Sequence, residues 1–562
     1  MERPEIIAGA TTDNLLSGSS MRMHSRYVRR HRLCDNLTEG LLYILIVLGP
    51  WLFGTTQNWA VWVMNIGSYL LGLLLAIKWL IRRKVQFRPA CWNMDAAMFL
   101  TETPIPSVSM TDGKRIAWER VIGWWKRQRL CCYATQGLAA TTVLVLLYCL
   151  VSAFNARANF NEASRILEYN SSFINWLPHS YDASSTWFSF WMYLGTACFF
   201  WALRDWLLVK SRSELPENTL TESTSQAYNR QQNRNSNRAW YHIPTRLRKL
   251  LWVLSINAFL VCIEGILQRF SGTDELLWLV RPRFCYYNAS QFGPYAYRTN
   301  AAQYFNLVWP VCLGFWWLLN GHSSESRRRR TRIGGSPQMI LIVFVVFMIV
   351  GSIASTSRGG FIIATLQVFG ALIVFGIMNR HRLWTTVLSL LGVMVIVVSL
   401  GAWLGWNQLL PRLQQAVASG KTGREEIFIN SNNMAKDFVW LGSGPGTYGN
   451  LYYFYRSDVR QTWSWYAHDD WMETKITFGI LGFTLILVGL SLVFVSGMAS
   501  NQMKQAWPFK VFVLIGMVGC LIHAKFDFPF QVHSILFLFV LLCSLFCCPA
   551  RLESRLVEGS TG

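Results

Sequence analysis

Charge is scarce in this chain. Asp, Glu, Lys and Arg together make up 15% of its 562 residues, against 52% hydrophobic and 15% aromatic. That balance excludes a string of water-soluble domains, and apolar runs recur from end to end, each long enough to cross about 30 Å of hydrocarbon as a helix. Acidic residues are scarcer still, 30 against 52 Lys and Arg, giving a formal charge of +22. The excess does not point to nucleic acid. The basic residues gather in short loops between the apolar runs, where the positive-inside rule places them.

An apolar leader is lacking as well. Residues 1–36 are polar and basic, with Arg22, Arg26, Arg29, Arg30 and Arg32, so no cleavable signal peptide is expected and this arm is expected to stay in the cytoplasm. Of the 13 cysteines only Cys285 falls in a segment expected outside the cytoplasm, which excludes a disulfide framework. No internal repeat is visible. His468-Asp469-Asp470 has no second cluster at metal-ligand spacing, so neither a metal nor another cofactor is expected.

What is present reads as an all-α polytopic membrane protein of about 12 transmembrane helices over residues 37–548, with both ends inside. The spans lie at Leu37–Phe53, Trp59–Ile81, Gly137–Phe154, Trp187–Val209, Leu250–Phe270, Tyr297–Asn320, Met339–Thr356, Phe361–Met378, Leu383–Trp406, Met472–Val495, Phe509–Ala524 and Ile535–Cys548. Basic stretches at 85–136 and 210–248 are expected as cytoplasmic loops, and 549–562 as a cytoplasmic tail. The segment 407–471 is expected as a large external loop between helices 9 and 10. It is polar, and it carries the glycine run Gly442 to Gly446, which lacks the lysine of a phosphate loop and reads as a sharp turn.

This topology puts Arg298, Arg358, Arg424, His468, Lys525 and Asp527 at or beyond the outer surface. Arginine is not needed there for orientation. Its planar fork of donors keeps its charge when partly desolvated, which suits phosphate or diphosphate at a membrane interface. Arg358 is followed by two glycines that let backbone amides approach an anion; the alternative is snorkelling to lipid headgroups. Thr422-Gly423-Arg424-Glu425 has capping-box spacing, which sets Arg424 in the first turn of a helix running to about Lys436. His468 stands where the loop re-enters the membrane, and an imidazole there can take a proton from a hydroxyl, with Asp469 or Asp470 to orient it. Glu264, near the outer end of the fifth span, is either functional or paired with an arginine.

Several segments resemble those of the O-antigen ligase and polymerase superfamily of bacterial envelope glycosyltransferases. They are Gly293 to Ala302, Ser357-Arg358-Gly359-Gly360, Gly423-Arg424 with Gly442 to Gly446, Ala467-His468-Asp469-Asp470 followed by Phe478 to Gly482, and His523 to Pro529. The resemblance implies an inverting, metal-independent enzyme of the bacterial inner membrane. It would carry a glycan from undecaprenyl diphosphate to a glycan or glycolipid acceptor, such as lipid A-core, at the periplasmic face, making 407–471 a periplasmic catalytic loop. It implies diphosphate contacts from Arg358 and Arg424 and acceptor activation by His468, with Arg298, Asn300, Glu264, Asp469 and Asp527 as further substrate-binding candidates. Chain-extending polymerases and protein O-oligosaccharyltransferases share the scaffold. A transporter of anionic lipid-linked sugars is the non-enzyme alternative, but it would carry polar groups at mid-membrane and a repeat of spans.

Overall fold

A computed structural model describes residues 12–85, 89, 112–211, 243–283, 285, 287–323, 337–378, 392, 410, 414, 424–456, 464–499 and 507–547. Apart from Gly392, the expected ninth span, Leu383–Trp406, lies outside the described residues. So do the expected tail, most of 210–248, Thr422 and Gly423. The described chain is mostly helical. Its helices are α1 (Thr12–Trp51), α2 (Asn58–Val85), α3 (Asp112–Phe154), α4 (Ala183–Leu208), α5 (Thr245–Ser271), α6 (Arg298–Ser323), α7 (Ile340–Ala354), α8 (Arg358–Met378), α9 (Glu425–Asp437), α10 (Tyr448–Tyr455), α11 (Asp470–Ala499), α12 (Trp507–His523) and α13 (His533–Cys547). One two-stranded hairpin, β1 (Ala158–Asn161) with β2 (Ile166–Tyr169), joins α3 to α4.

Each of the other eleven expected spans falls within one of these helices, give or take two residues at an end. Among the described residues, six helical stretches, Arg26–Trp51, Asn58–Val85, Leu130–Phe154, Thr245–Ser271, Arg358–Met378 and Asp470–Ala499, are long and apolar enough by length and composition to cross a membrane. Segment 112–136, expected within a loop, is helical and continues without a break into the apolar run ending at Phe154. Its Arg, Lys and Trp residues are compatible with a helix, and it holds no proline to stop one.

The burial pattern is that of a bundle whose outer faces meet an apolar solvent. Leu73, Leu80, Phe369 and Ile377 are more than half exposed, while α6 is buried on all sides through Phe305, Leu307, Val308, Trp309, Val311 and Phe315. A helix apolar all round belongs at the centre, and α6 packs against α5, α7, α8, α12 and α13.

The loops meet at one end. Gly54 O accepts from Ser534 Oγ at 2.6 Å, Tyr181 N–H donates to Ser443 O at 2.9 Å, and Asn450 Nδ2 donates to Asp182 Oδ2 at 2.7 Å. At the opposite end of α1, α2 and α4, fully buried Lys78 lies 3.3 Å from Asp35 and 2.8 Å from Asp205. Arg82 pairs with the same Asp205 at 2.5 Å, and Arg246 with Asp35. Breaking such a buried network from one side strands an uncompensated charge, so it clamps four helices together away from the loops.

The glycine turn has a specific job. Gly442, Gly444 and Gly446 all have positive φ, as the sequence reading of a sharp turn requires. The turn docks on a break in α11 at Gly479, with φ 60° and ψ −174°. Ser443 N and Gly444 N donate to Ile476 O and Thr477 O at 2.9 and 3.0 Å, and Ile480 N donates back to Val439 O at 2.8 Å. A Cβ on Gly479 would lie 2.3 Å from Trp440 O. Gly479→Ala is therefore expected to cost about 1–3 kcal/mol in backbone strain before the clash is counted. Thermal unfolding in detergent should show a lower Tm; an unchanged Tm and yield would contradict this reading of the break.

Candidate active site

Arg358 is presented by a hairpin that α6 braces from behind. After α7 the chain turns through Thr356, at φ 58°, to Ser357, whose Oγ accepts from Gly360 N–H at 3.1 Å in the manner of an N-cap. The same hydroxyl donates to Thr299 Oγ1 at 3.2 Å. Asn306 of α6 accepts from Ser352 Oγ and donates to Gly360 O, both at 2.9 Å. Gly360 packs so closely on Ala302 that a Cβ would sit 2.4 Å from the alanine methyl. With the backbone held this way, the half-buried Arg358 side chain has no hydrogen-bond or ion-pair partner among the described residues.

His468 and Arg424 meet at one carboxylate. His468 Nδ1 lies 3.0 Å from Asp527 Oδ1 and Arg424 Nη2 lies 3.5 Å from Oδ2. Tyr297 OH donates to Oδ2 at 3.2 Å and accepts from Arg424 Nη2 at 3.0 Å, while Arg424 Nη1 donates to Phe526 O at 2.5 Å. Phe528 sits edge-on to the imidazole, ring centroids 4.8 Å apart, and stacks on Tyr297 and Tyr466. His468 itself has φ 52°, a conformation that costs a non-glycine residue of order 1–3 kcal/mol. The loop is pinned on either side, by Ala467 N–H donating to Glu473 Oε2 at 2.8 Å and by Asp470 N–H donating to Ala524 O at 2.8 Å.

Burial works against ionising Asp527, but the His468 hydrogen bond and the Arg424 and His468 charges outweigh it and hold the carboxyl below its ordinary value. An ionised carboxylate can only accept, so Nδ1 carries the imidazole proton and Nε2 presents a lone pair. A depressed carboxyl stabilises the fold above its ordinary pKa, and that stability is lost as pH falls through the depressed value. The Tm of the protein is expected to drop on acidification below about pH 4, with this component missing in Asp527→Asn; identical profiles would count against the pairing.

The orienting carboxylate is thus not the one expected beside the histidine in sequence. Asp469 accepts from Met472 N–H at 3.1 Å, capping α11, and from Lys525 Nζ at 2.5 Å. Asp470 accepts from Phe530 N–H at 2.8 Å and Gln531 Nε2 at 3.1 Å. Both side chains at the start of a helix turn to its free amides and to the adjoining loop, which leaves His468 to a residue 59 positions away. Arg424 is also displaced from its expected place. It is the N-cap residue, not in the first turn, and α9 runs on from Glu425 to Asp437.

The remaining candidates lie further off or are already engaged. Arg298 donates to Ala289 O and so braces the loop before α6. Asn300 is buried in the first turn of α6, its N–H bonded to Tyr297 O at 2.9 Å. Glu264 is buried, and among the described residues neither carboxylate oxygen has a partner and no arginine pairs with it. Its Oε2 stands against Gly293, where a Cβ would come within 2.8 Å. Among the described residues no three His, Cys, Asp or Glu side chains stand together as metal ligands.

Arg358 and the His468–Asp527 pair share one end of the bundle. Gly359 packs on the His523 ring, where a Cβ would be 2.7 Å from Nε2, and Asp527 N–H donates to His523 O at 3.0 Å. Residues 343–487 match the family model described as O-antigen ligase. This stretch is similar to the O-antigen ligase family. No curated protein matches the chain. The apolar helices and this match together point to a multi-pass membrane protein of glycosyltransferase type.

The O-antigen ligase match takes in Arg358, Arg424 and His468, whereas Tyr297 and Asp527 lie beyond its two ends. Tyr297 is not among the residues that sequence reasoning singles out, although it sits in the Gly293 to Ala302 segment. A buried tyrosine beside an arginine motif carries no signal of its own until the loop that folds over it is placed.

Proposed function

We propose that the protein transfers a glycan from undecaprenyl diphosphate to a sugar hydroxyl of a glycolipid acceptor, lipid A-core or similar, with inversion at the anomeric carbon and without a metal. The reaction belongs at the periplasmic face of the bacterial inner membrane, under the 407–471 loop, in a bundle of about 12 spans. The observation that carries this reading is the His468 Nδ1 contact with Asp527 Oδ1 at 3.0 Å, which leaves Nε2 as a base at the same end as Arg358, which has no partner among the described residues.

Nε2 of His468 takes the acceptor hydroxyl proton as the oxygen attacks C1. The C1–O bond to phosphate breaks on the opposite side, and its electron pair stays on the diphosphate. Asp527 keeps the imidazole in the right tautomer and stabilises the imidazolium that forms. Arg358 supplies a bidentate fork to the diphosphate as its charge grows. Arg424 spends donors on Asp527, Tyr297 and Phe526, so it holds the base in place as well as adding positive charge. Placing Arg358 on the leaving group and His468 on the acceptor accounts for the separate mountings of these two.

Purified protein incubated in detergent with lipid-linked glycan and lipid A-core tests this. A glycan-bearing lipid A product is expected. A lengthened glycan on the carrier would mean a polymerase, and a glycosylated protein an oligosaccharyltransferase. No new glycosidic bond with any acceptor would refute the enzyme and leave the transporter.

A further inference from the structure

The mechanism above leaves the buried histidines His523 and His533 at this end of the bundle unused, and His523 stands beside the Arg358 turn. His523, the last residue of α12, is 1% exposed. Its Nδ1 contacts Gln303 Oε1, so the ring N–H there donates to the amide oxygen and Nε2 bears a lone pair. Gln303, from α6, is also 1% exposed and so fixes the ring from the bundle interior. Nε2 has no hydrogen-bond partner among the described residues, and it faces the backbone of Gly359, where only the lack of a Cβ makes room for it. The first turn of α8 thus brings together a guanidinium and an imidazole nitrogen that have no partner among the described residues, beside the Arg358 and Gly359 amides that precede the capped Gly360 N–H. Amides and guanidinium alike suit an anion.

We propose that His523, oriented by Gln303, contacts a phosphate of the lipid-linked donor through Nε2. This rests on the donor assignment above and adds a phosphate-binding residue to it. With Nδ1 committed to Gln303, Nε2 donates only when protonated, so donor binding takes one proton from solvent onto His523 and the imidazolium N–H donates to a phosphate oxygen. When the C1–O bond breaks, that proton is at hand for the diphosphate, matching the one His468 takes from the acceptor. The charged groups near the ring are Arg424 and Asp527, with Arg358 at the start of the packed helix. Gln303 is neutral, and the Cys520 thiol lies one turn earlier on α12.

The test uses undecaprenyl diphosphate bearing a single hexose, a diester whose phosphates do not titrate near neutral pH, bound to the full-length protein in detergent. Calorimetry in buffers of different ionisation enthalpy should show uptake of about one proton by the wild type. His523→Gln keeps a donor at the Nε2 position without a titrating group. Affinity within about threefold of wild type and no uptake are expected. His523→Asn keeps only the contact to Gln303, and affinity should fall about 10- to 100-fold. Wild-type binding without proton uptake, or equal affinity in all three proteins, would overturn the proposal while leaving the donor assignment standing. No binding by the wild type would overturn both. The proton uptake is read on the unmutated protein, so a variant that fails to fold does not remove the test. An equal loss of phosphatidylglycerol binding in His523→Asn would show a general lipid-phosphate grip and would also overturn it.

Discussion

His468→Ala is expected to lower kcat for glycan transfer by about 10²- to 10⁴-fold, the range general-base catalysis covers, while donor affinity stays near wild type. The asymmetry follows from where the side chain is mounted. His468 is held by Asp527 and boxed by Phe528 on the loop before α11, on a different element from Arg358, so its loss should remove proton transfer without removing the diphosphate grip. Steady-state kinetics with donor and acceptor varied separately will read this. A matching rise in donor KM with kcat unchanged would place His468 on the donor instead. Asp527→Asn should also lower kcat, because an amide can present its NH₂ group to Nδ1 and so favour the wrong tautomer, whereas the histidine remains in place.

The second large effect is expected at Arg358. Arg358→Ala should reduce transfer by at least about 10²- to 10³-fold, the cost of one preorganised donor to developing charge, in a protein that still folds. Folding should survive because Arg358 has no partner among the described residues to strand, unlike Arg424. Lysine at 358 should not restore activity, since a point charge replaces a planar fork. Arg424→Ala should differ in kind. It takes away one of the bonds that hold Asp527 and Tyr297, so it should disturb the His468 pH profile along with donor binding, and its effect should be non-additive with Asp527→Asn. Full activity in Arg358→Ala membranes with normal protein levels would remove this residue from the donor site.

Much of the scaffold is legible in the apolar runs themselves. Eleven of the expected spans fall within helices because an apolar run of that length has few other ways to satisfy its backbone. The glycine turn is legible too, since positive φ at Gly442, Gly444 and Gly446 is what glycine allows. Other local readings fail where a neighbour in space competes with a neighbour in sequence. Asp469 and Asp470 are the obvious partners for His468, yet α11 needs a cap and Lys525, Phe530 and Gln531 offer donors. Arg298 is equivalent to Arg358 by position along its span, but Ala289 O engages it.

The amino-acid order alone determined that this is a helical membrane protein with its arginines and its loop histidine set apart from the basic loops, because hydropathy and loop charge act locally, residue by residue. Which carboxylate meets His468, that Arg424 shares it, and that Arg358 has no partner among the described residues were decided only in three dimensions. Hydrogen bonds are awarded by distance and desolvation among side chains tens to hundreds of positions apart, and no local pattern records that competition.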